Sequence, residues 1–156
     1  MMASQILTRD DAAAMAALHG AAFSVPEAWS IDAFNDLFAQ PTTHAEGMII
    51  DNCLQALIVV QFVAGEAEVL TLATAPAGRR CGFARQTLDG LERRLRRSGL
   101  TKWLLDVAAD NAGAIAFYEK YGFQVDGRRS NYYKRLEGQR VDAILMSKPV
   151  GGQITK

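Results

Sequence analysis

Hydrophobic residues recur along the chain at two spacings, and each spacing predicts a different kind of element. Intervals of three and four residues, which place side chains on one face of a helix, occur in four segments. The predicted helices run from about Asp10 to Ala22, from Ile31 to Phe38, from Phe83 to Arg97 and from Asn111 to Tyr121. Ser30 stands where a helix-capping side chain is favoured, and Gly99 and Gly122 stand where helices end.

The segments between these helices are shorter and rich in valine, leucine, isoleucine and threonine, which is typical of strands. The predicted strands are Gln5–Thr8, Ala45–Asp51, Leu54–Ala64, Glu66–Ala73, Trp103–Val107 and Val141–Ser147, with two strand pieces at Phe123–Val125 and Ser130–Lys134. A strand, a helix and a second strand in succession imply a parallel pair. We therefore predict an α/β (α+β) fold, with a mixed central sheet of about seven strands flanked by about four helices.

Composition indicates a single soluble domain. Hydrophobic residues make up 49% of the 156 residues and charged residues 22%. We expect the domain to span residues 1–150, followed by a flexible tail at 151–156. Basic and acidic residues number 17 each, so the charge balance predicts neither a nucleic-acid partner nor binding to a membrane surface.

The expected location is the cytoplasm. The two cysteines, Cys53 and Cys81, are too few for a disulfide framework and fit a reducing compartment. The N-terminal sequence has no basic region followed by a long apolar run, so we expect no signal peptide. The longest apolar stretch, Ala56–Ala64, is too short to span a bilayer. Nor does the sequence contain a cluster of residues with metal-ligand spacing, so we predict no metal site.

A turn rich in arginine and small residues opens the third predicted helix, with the pattern Arg79-x-x-Gly82-x-Ala84. The start of a helix presents unpaired N–H groups and a partial positive charge, which attract anions. Gly82 and Ala84 leave space for a ligand, while Arg79, Arg80 and Arg85 add donors that suit phosphate oxygens. The pattern predicts a pyrophosphate site, although by itself it also fits a tight turn with solvated arginines.

A second segment, Leu104–Phe123, combines polar groups that suit catalysis. It places Asp106 on a strand, Asn111 at the start of the next helix and Tyr118 one to two turns into that helix. Taken alone, these side chains are also compatible with a paired carboxylate, a helix cap and a packed core tyrosine.

Together the two segments resemble the GCN5-related N-acetyltransferase (GNAT) superfamily, whose members transfer acetyl from acetyl-CoA to amines. The arginine–glycine turn matches the coenzyme-binding motif of this superfamily, and Asn111–Phe123 matches its second motif. Further segments resemble the RimI-type branch, which acetylates the N-terminal alanine of a ribosomal protein. These segments are Ala22-Phe23, Trp29-Ser30, Asn131-Tyr132-Tyr133 and Gly138 to Met146.

The resemblance implies a set of residues that bind acetyl-CoA as co-substrate. The backbone of Leu72, Ala73 and Thr74 would pair with the pantetheine arm. The pyrophosphate would be held by the turn, and Asn111 would also contact the coenzyme. The turn residues so assigned are Arg79, Arg80, Cys81, Gly82, Phe83, Ala84 and Arg85.

The resemblance also implies catalytic and acceptor-binding roles. Tyr118 would donate a proton to the leaving thiolate. Asp106 stands where the branch usually has a glutamate that acts as base, and its shorter side chain leaves three alternatives open: direct contact, a bridging water, or Glu68 as the base. The acceptor-binding residues would be Trp29, Tyr132 and Tyr133, and because the two tyrosines alternate along a strand we expect only one to face the acceptor.

Three functions follow from these features. The first is acetylation of the N-terminal α-amine of a protein, and the resemblance implies a ribosomal protein that begins with alanine. The second keeps the same fold but uses a lysine side chain or a small amine as acceptor. The third is a non-catalytic module that binds acyl-CoA as a sensor.

Overall fold

The structure is a computed structural model that describes residues 3–23, 28–135 and 137–151. Within these ranges the chain forms seven strands and four α-helices. The strands are β1 (Ser4–Ile6), β2 (Thr43–Ile50), β3 (Cys53–Val63), β4 (Glu66–Thr74), β5 (Lys102–Ala108), β6 (Gln124–Lys134) and β7 (Arg140–Pro149). The helices are α1 (Ala12–Ala22), α2 (Ile31–Phe38), α3 (Phe83–Arg96) and α4 (Ala112–Tyr121). All of the predicted tail except Gly151 lies outside the described residues.

All seven strands belong to one sheet, in the order β1-β2-β3-β4-β5-β7-β6. β4 and β5 run parallel, and the other five neighbouring pairs run antiparallel. Because α3 lies between β4 and β5 in the chain, it forms the crossover that a parallel pair requires. The predicted α/β fold with a mixed sheet and flanking helices is confirmed.

Each face of the sheet is covered by a pair of helices. On one face, α3 and α4 pack over a core that includes Leu88, Leu91 and Trp103. On the other face, α1 and α2 contribute Met15 and Phe34 to a second core. All five of these side chains are fully buried. Burial of a large apolar side chain contributes about 1.5–3 kcal/mol, so both cores hold the helices firmly against the sheet.

The helix starts follow the capping rules that the sequence indicates. The Ser30 hydroxyl accepts a hydrogen bond from the Ala33 N–H at 3.1 Å and so caps α2, as predicted. The helix start predicted near Asp10 falls in a 3₁₀ turn, Arg9–Asp11, and α1 begins directly after this turn at Ala12. Since 3₁₀ turns are frequent at helix ends, this difference affects only the first turn.

β4 contains an extra residue in the middle of the strand. Val59 and Val60 of β3 lie opposite Thr71 and Val69 of β4, so Leu70 has no opposite partner. This β-bulge bends the strand and increases its twist. Pairing between β4 and β5 covers only the first three residues of β4, although both strands continue further. The two parallel strands therefore separate at the bulge.

β6 differs from its prediction as two strand pieces, Phe123–Val125 and Ser130–Lys134. It is one strand of 11 residues on the edge of the sheet, with register shifts after Val125 and after Arg129. Asn131 has a positive φ of 51° within the second irregularity. Bulges interrupt the alternation of side chains along a strand, which is why the sequence pattern shows separate pieces.

One arginine of α3 packs against the sheet although its position along the helix is typical of an exposed residue. The Arg94 guanidinium donates to the buried carboxylate of Glu46 on β2, at 3.2 Å from Nε, and to the Ala45 carbonyl at 3.2 Å from Nη2. The Ser4 hydroxyl donates to the same carboxylate at 2.6 Å. Gly90 gives this cluster room, because a Cβ there would lie 1.7 Å from the Ser4 oxygen. The buried charge of Glu46 requires these partners, and the helical spacing alone does not reveal them.

In the part of the chain that the structure describes, no helix is long and apolar enough to cross a membrane. The longest, α3, has 14 residues, whereas a spanning helix needs about 20.

Candidate active site

A cavity of about 730 Å³ opens where β4 and β5 separate, and we call it the inter-strand cavity. The strand residues that line it are Val69, Leu70, Thr71, Leu72, Leu105, Asp106, Val107 and Ala108. The ladder between the two strands ends at Glu68 and Leu104. Backbone N–H and C=O groups on these facing edges are therefore available to a ligand.

Tyr118 lines the inter-strand cavity from α4. The Asn111 side chain caps this helix by accepting a hydrogen bond from the Ala114 N–H at 3.1 Å, and Gly122 ends it with a φ of 118°. The Tyr118 side chain is only 7% exposed. Among the described residues, no group hydrogen-bonds to its hydroxyl. A buried hydroxyl without a protein partner is suited to contact a ligand in the cavity.

The environment of Tyr118 keeps its hydroxyl protonated. Burial, with a smaller effect from nearby Tyr133, raises the pKa of Tyr118 far above its ordinary value of 10.0. At neutral pH the group is therefore a proton donor and not a phenolate.

Asp106 lines the same cavity from β5. Its carboxylate is half-buried and lies 3.9 Å from the guanidinium of Arg129, which is a loose ion pair. Burial, followed by the nearby Asp106 carboxylate, raises the pKa of Tyr133. The Asp106 carboxylate and the buried Tyr118 hydroxyl thus line the same cavity, where both can face one ligand.

The wall opposite α4 is aromatic. Phe23 and Trp29 line the inter-strand cavity together with His19. The Trp29 ring stacks on the His19 ring at 5.0 Å and lies 5.4 Å from the Phe34 ring. Trp29 therefore packs as part of a fixed wall, which is consistent with its predicted role as an acceptor-binding residue.

The structure separates the two predicted acceptor tyrosines. Tyr133 lines the inter-strand cavity, whereas Tyr132 does not and is 45% exposed. Their rings contact each other edge to face at 5.1 Å. Only Tyr133 is in a position to touch a ligand in the cavity, and Tyr132 supports it from outside.

A charge pair that the sequence did not indicate lies at the edge of the cavity. Arg135 donates from two guanidinium nitrogens to both carboxylate oxygens of Asp110, and its Nε lies 3.2 Å from one of them. These hydrogen bonds lower the pKa of Asp110. Both residues line the cavity, so its rim carries fixed charge.

A second cavity of about 350 Å³, which we call the turn cavity, lies at the start of α3. Its lining residues are Thr74, Gly78, Arg79, Arg80, Gly82, Phe83, Ala84, Arg85, Phe117 and Lys120. Arg80 and Gly82 have positive φ angles of 65° and 79°. Residues of alternating hand aim successive N–H groups at one point, which makes a concave site for an anion.

The first turn of α3 has free donors. Gly82 is the N-cap and provides no side-chain cap, and the first hydrogen bond of the helix runs from the Gln86 N–H to the Gly82 carbonyl at 3.0 Å. In residues 3–23, 28–135 and 137–151, no acceptor is bonded to the N–H groups of Phe83, Ala84 and Arg85. With four cationic side chains around it, the turn cavity fits a pyrophosphate.

The two cavities are connected by β4 and α4. Leu72 lines the inter-strand cavity, Thr74 lines the turn cavity, and the buried Ala73 lies between them. On α4, Tyr118 and its neighbour Phe117 line the two cavities in the same order. An extended ligand can therefore reach from the phosphate turn to the Tyr118 hydroxyl.

Besides Ala73 and Tyr132, two further predicted site residues line neither cavity. Glu68 is exposed at the end of the β4–β5 ladder and lines neither of them. Cys81 is exposed within the turn, and its side chain also lines neither. Of the three predicted catalytic residues, Asp106 and Tyr118 line the same cavity, and Glu68 lies outside it.

The sequence pattern of the acetyltransferase (GNAT) family matches residues 12–123, which is more than half of the chain. The chain therefore belongs to this family, as its two motifs indicated.

Two of the relatives to which the chain is similar have names that place them in the RimI-type branch. Over 97 residues, the chain is 38% identical to the [ribosomal protein bS18]-alanine N-acetyltransferase of Escherichia coli (strain K12). That match covers 62% of this chain and 65% of the relative, so it spans less than two thirds of the relative's length. The chain is also 33% identical over 149 residues to the N-alpha-acetyltransferase RimI of Mycobacterium tuberculosis, covering 93% of this chain and 90% of that protein.

The fold agrees with a solved structure from the same branch. The crystal structure of the ribosomal-protein-S18-alanine N-acetyltransferase from Escherichia coli superimposes with a TM-score of 0.87 at 29% identity. The superposition covers 100% of this chain and 99% of that chain. The resemblance that the sequence motifs predicted, to the family and to its branch, is confirmed.

Proposed function

We propose that the protein is an acetyl-CoA-dependent N-acetyltransferase, with residues 1–150 as its catalytic domain. The acceptor is the N-terminal α-amine of a protein, of the ribosomal-protein alanine type, which makes the cytoplasm its place of action. The observation that carries the proposal is the succession of the two cavities along β4, from an anion-binding turn to a buried hydroxyl and a carboxylate. The similarity to alanine N-acetyltransferases supports the choice of acceptor.

The residues present fit the coenzyme. The free N–H groups at the start of α3 and the side chains of Arg79, Arg80 and Arg85 would hold the pyrophosphate. The unpaired edge of β4 at Leu72–Thr74 would hydrogen-bond the pantetheine arm. Asn111 caps α4 through its carbonyl oxygen, which leaves its amide NH₂ as a donor towards the coenzyme. Acetyl-CoA supplies the acetyl group as an activated thioester.

Tyr118 acts as the general acid. Its hydroxyl is buried, protonated and without a partner in the described chain, so it is able to give a proton to a departing thiolate. A backbone N–H of β4 beyond the end of the ladder would stabilise the negative charge that develops on the thioester carbonyl oxygen when the amine attacks.

Asp106 acts as the general base through a water molecule. The ordinary pKa of an α-amine, 7.7–8.0, means that roughly a seventh of the acceptor is already neutral at pH 7. A lysine amine near 10.4 is neutral only about once in a few thousand molecules. A carboxylate with a shorter reach than glutamate is therefore sufficient for an N-terminal acceptor. Glu68, which lies outside the cavity, is less well placed for this task.

The aromatic wall receives the acceptor. Trp29 and Tyr133 both line the inter-strand cavity, where the amine would meet the thioester, and Tyr132 contacts Tyr133 from outside. Flat aromatic faces bury the first residue of a peptide without supplying competing charges.

The test uses the full chain, acetyl-CoA and a peptide that begins with alanine and contains one lysine. We expect free CoA to be released with this peptide and no release above background when its N-terminus is blocked. Equal release of CoA with the blocked peptide would show that the lysine side chain, and not the N-terminal amine, is the acceptor. Binding of acetyl-CoA without any release of CoA would refute the enzymatic function and would support a non-catalytic module that binds acyl-CoA.

A further inference from the structure

His19 is a buried polar residue that the proposed mechanism does not use. It lies on the last turns of α1 and is only 2% exposed. Its ring lines the inter-strand cavity between α1 and β4. No sequence motif marks this histidine, because its partners are distant along the chain.

The ring of His19 joins two separate segments. Its Nδ1 accepts a hydrogen bond from the backbone N–H of Trp29 at 3.0 Å. Its Nε2 lies 2.9 Å from the hydroxyl oxygen of Thr71. Trp29 belongs to the aromatic wall, and Thr71 directly follows the bulge at Leu70 where β4 leaves β5. The His19 side chain therefore connects the aromatic wall to β4, the strand along which the coenzyme is proposed to bind.

These contacts define the tautomer. Nδ1 must be unprotonated, since it receives the N–H of Trp29, and a neutral ring then carries its proton on Nε2. Nε2–H consequently donates to the Thr71 hydroxyl. Among the described residues, Phe23, Trp29, Phe34 and Thr71 have side chains that contact the ring, and none of these four is charged. Burial in this setting lowers the pKa of His19 to about 4, so the neutral ring persists at physiological pH.

We propose that His19 is a positioning residue for the acceptor: it holds Trp29 at a fixed distance from β4 and so sets the width of the acceptor's side of the cavity. This inference rests on the proposed function for the identity of the acceptor. The hydrogen bonds themselves do not depend on that function, and they are tested separately.

The kinetic test compares His19→Leu with His19→Asn. Leucine loses both hydrogen bonds, whereas the asparagine carbonyl is able to take the position of Nδ1 and keep the bond to Trp29. We expect His19→Leu to raise KM for the alanine-starting peptide by about tenfold, with kcat changed less than about threefold. His19→Asn should recover most of the peptide KM. The Kd for coenzyme should change little in either variant, because His19 does not line the turn cavity that binds the pyrophosphate.

The matched control is His44→Asn. His44, the other histidine of the chain, lies on β2 against Phe62 and lines neither cavity. We expect this variant to keep the wild-type KM for the peptide. Thr71→Val keeps the shape of the strand residue but removes the acceptor of Nε2–H, and it should raise KM to a value between those of His19→Asn and His19→Leu.

A readout without turnover tests the connection directly. Hydrogen exchange at the Trp29 amide should be slow in the wild type and in His19→Asn, and at least about tenfold faster in His19→Leu. A peptide KM in His19→Leu equal to wild type, or a fall in kcat alone, would overturn the positioning role. If the wild-type protein acetylates no peptide, the proposed function fails, and unchanged Trp29 exchange in His19→Leu would then refute the connection as well.

Discussion

The turn cavity and the inter-strand cavity are built from different materials. Most of the turn cavity comes from the single stretch 78–85, where the backbone conformation presents free main-chain N–H groups beside cationic side chains. The inter-strand cavity is assembled from side chains that range from His19 to Arg135 and belong to several elements. The first site therefore depends on backbone conformation, and the second depends on the identity of individual side chains. Substitutions that spare the backbone should do little in the first and much in the second.

Removal of the Tyr118 hydroxyl should have the largest effect. We expect Tyr118→Phe to lower kcat by about a hundredfold or more, which is the usual contribution of a general acid. The Kd for coenzyme should stay at the wild-type value, because the phenylalanine ring preserves the packing of α4. Release of CoA measures kcat, and calorimetry measures the Kd.

Tyr121→Phe is the matched control for this change. Tyr121 lies on the same helix, but its hydroxyl donates to Asp89 at 2.7 Å and lines neither cavity. Its loss should cost about 1 kcal/mol of stability and leave kcat within about twofold. An equal loss of kcat in the two variants would show that the helix, and not the Tyr118 hydroxyl, carries the effect.

Acid should weaken the aromatic wall through His19. Burial lowers the pKa of His19 to about 4, whereas an unfolded histidine titrates near 6.5. As the pH falls from 6.5 to 4 the unfolded chain takes up this proton first, so the free energy of unfolding decreases across that range and is unaffected by this group outside it. At pH 5 the loss amounts to about 2 kcal/mol.

Urea unfolding at pH 7.5 and pH 5 measures this loss against His19→Asn. The variant lacks the His19 titration, so its free energy of unfolding should fall less between the two pH values. Any effect of His44 is common to both proteins and cancels. Identical losses in the two proteins would contradict the buried neutral state of His19.

Asp106→Asn should have a smaller effect than Tyr118→Phe. We expect about a tenfold loss of kcat/KM at pH 7, because part of the α-amine is neutral without help from a base. The loss should shrink at pH 9, where most of the α-amine is deprotonated. Rate profiles over pH 6–9 measure this difference. A loss that does not shrink at high pH would mean that Asp106 serves a role other than base.

The turn cavity should respond to backbone strain more than to side-chain size. Gly82→Ala adds a Cβ where φ is 79°, which costs about 1–2 kcal/mol even though no neighbouring atom lies within 4 Å of the added carbon. We expect the Kd for coenzyme to rise about fivefold. Ala84→Gly is the control, since it removes a methyl group from the same turn without positive φ, and its Kd should change less than about twofold. A larger rise of the calorimetric Kd in Ala84→Gly than in Gly82→Ala would contradict the dependence of the turn cavity on backbone conformation.

Features that arise from neighbouring residues were predictable from the sequence. The capping role of Asn111, the end of α4 at Gly122 and the free donors around Gly82 all depend on contacts within a few residues. The presence of a parallel pair in a mixed sheet followed from the alternation of strands and helices.

Features that depend on contacts between distant residues were not predictable from the sequence. The bulge at Leu70 arises from the register between β3 and β4, and nothing in the local pattern of β4 indicates it. The connection of His19 to Thr71 joins residues 52 positions apart. Likewise, Arg94 has the spacing of an exposed helix residue, but it turns inward because Glu46 is buried on another strand. Such contacts are set by tertiary packing, so periodicity cannot reveal them.

The short ladder between β4 and β5 has a mechanical consequence. Only three residues on each strand join the four-stranded part of the sheet, β1–β4, to the three-stranded part, β5–β7. A molecule lodged between the diverging strands would bridge these parts like an additional rung. At a hundred times its Kd, such a ligand adds about 2.7 kcal/mol to the resistance against unfolding. The acyl donor would then also be a brace, and the loaded protein would be the form that best withstands heat and proteolysis.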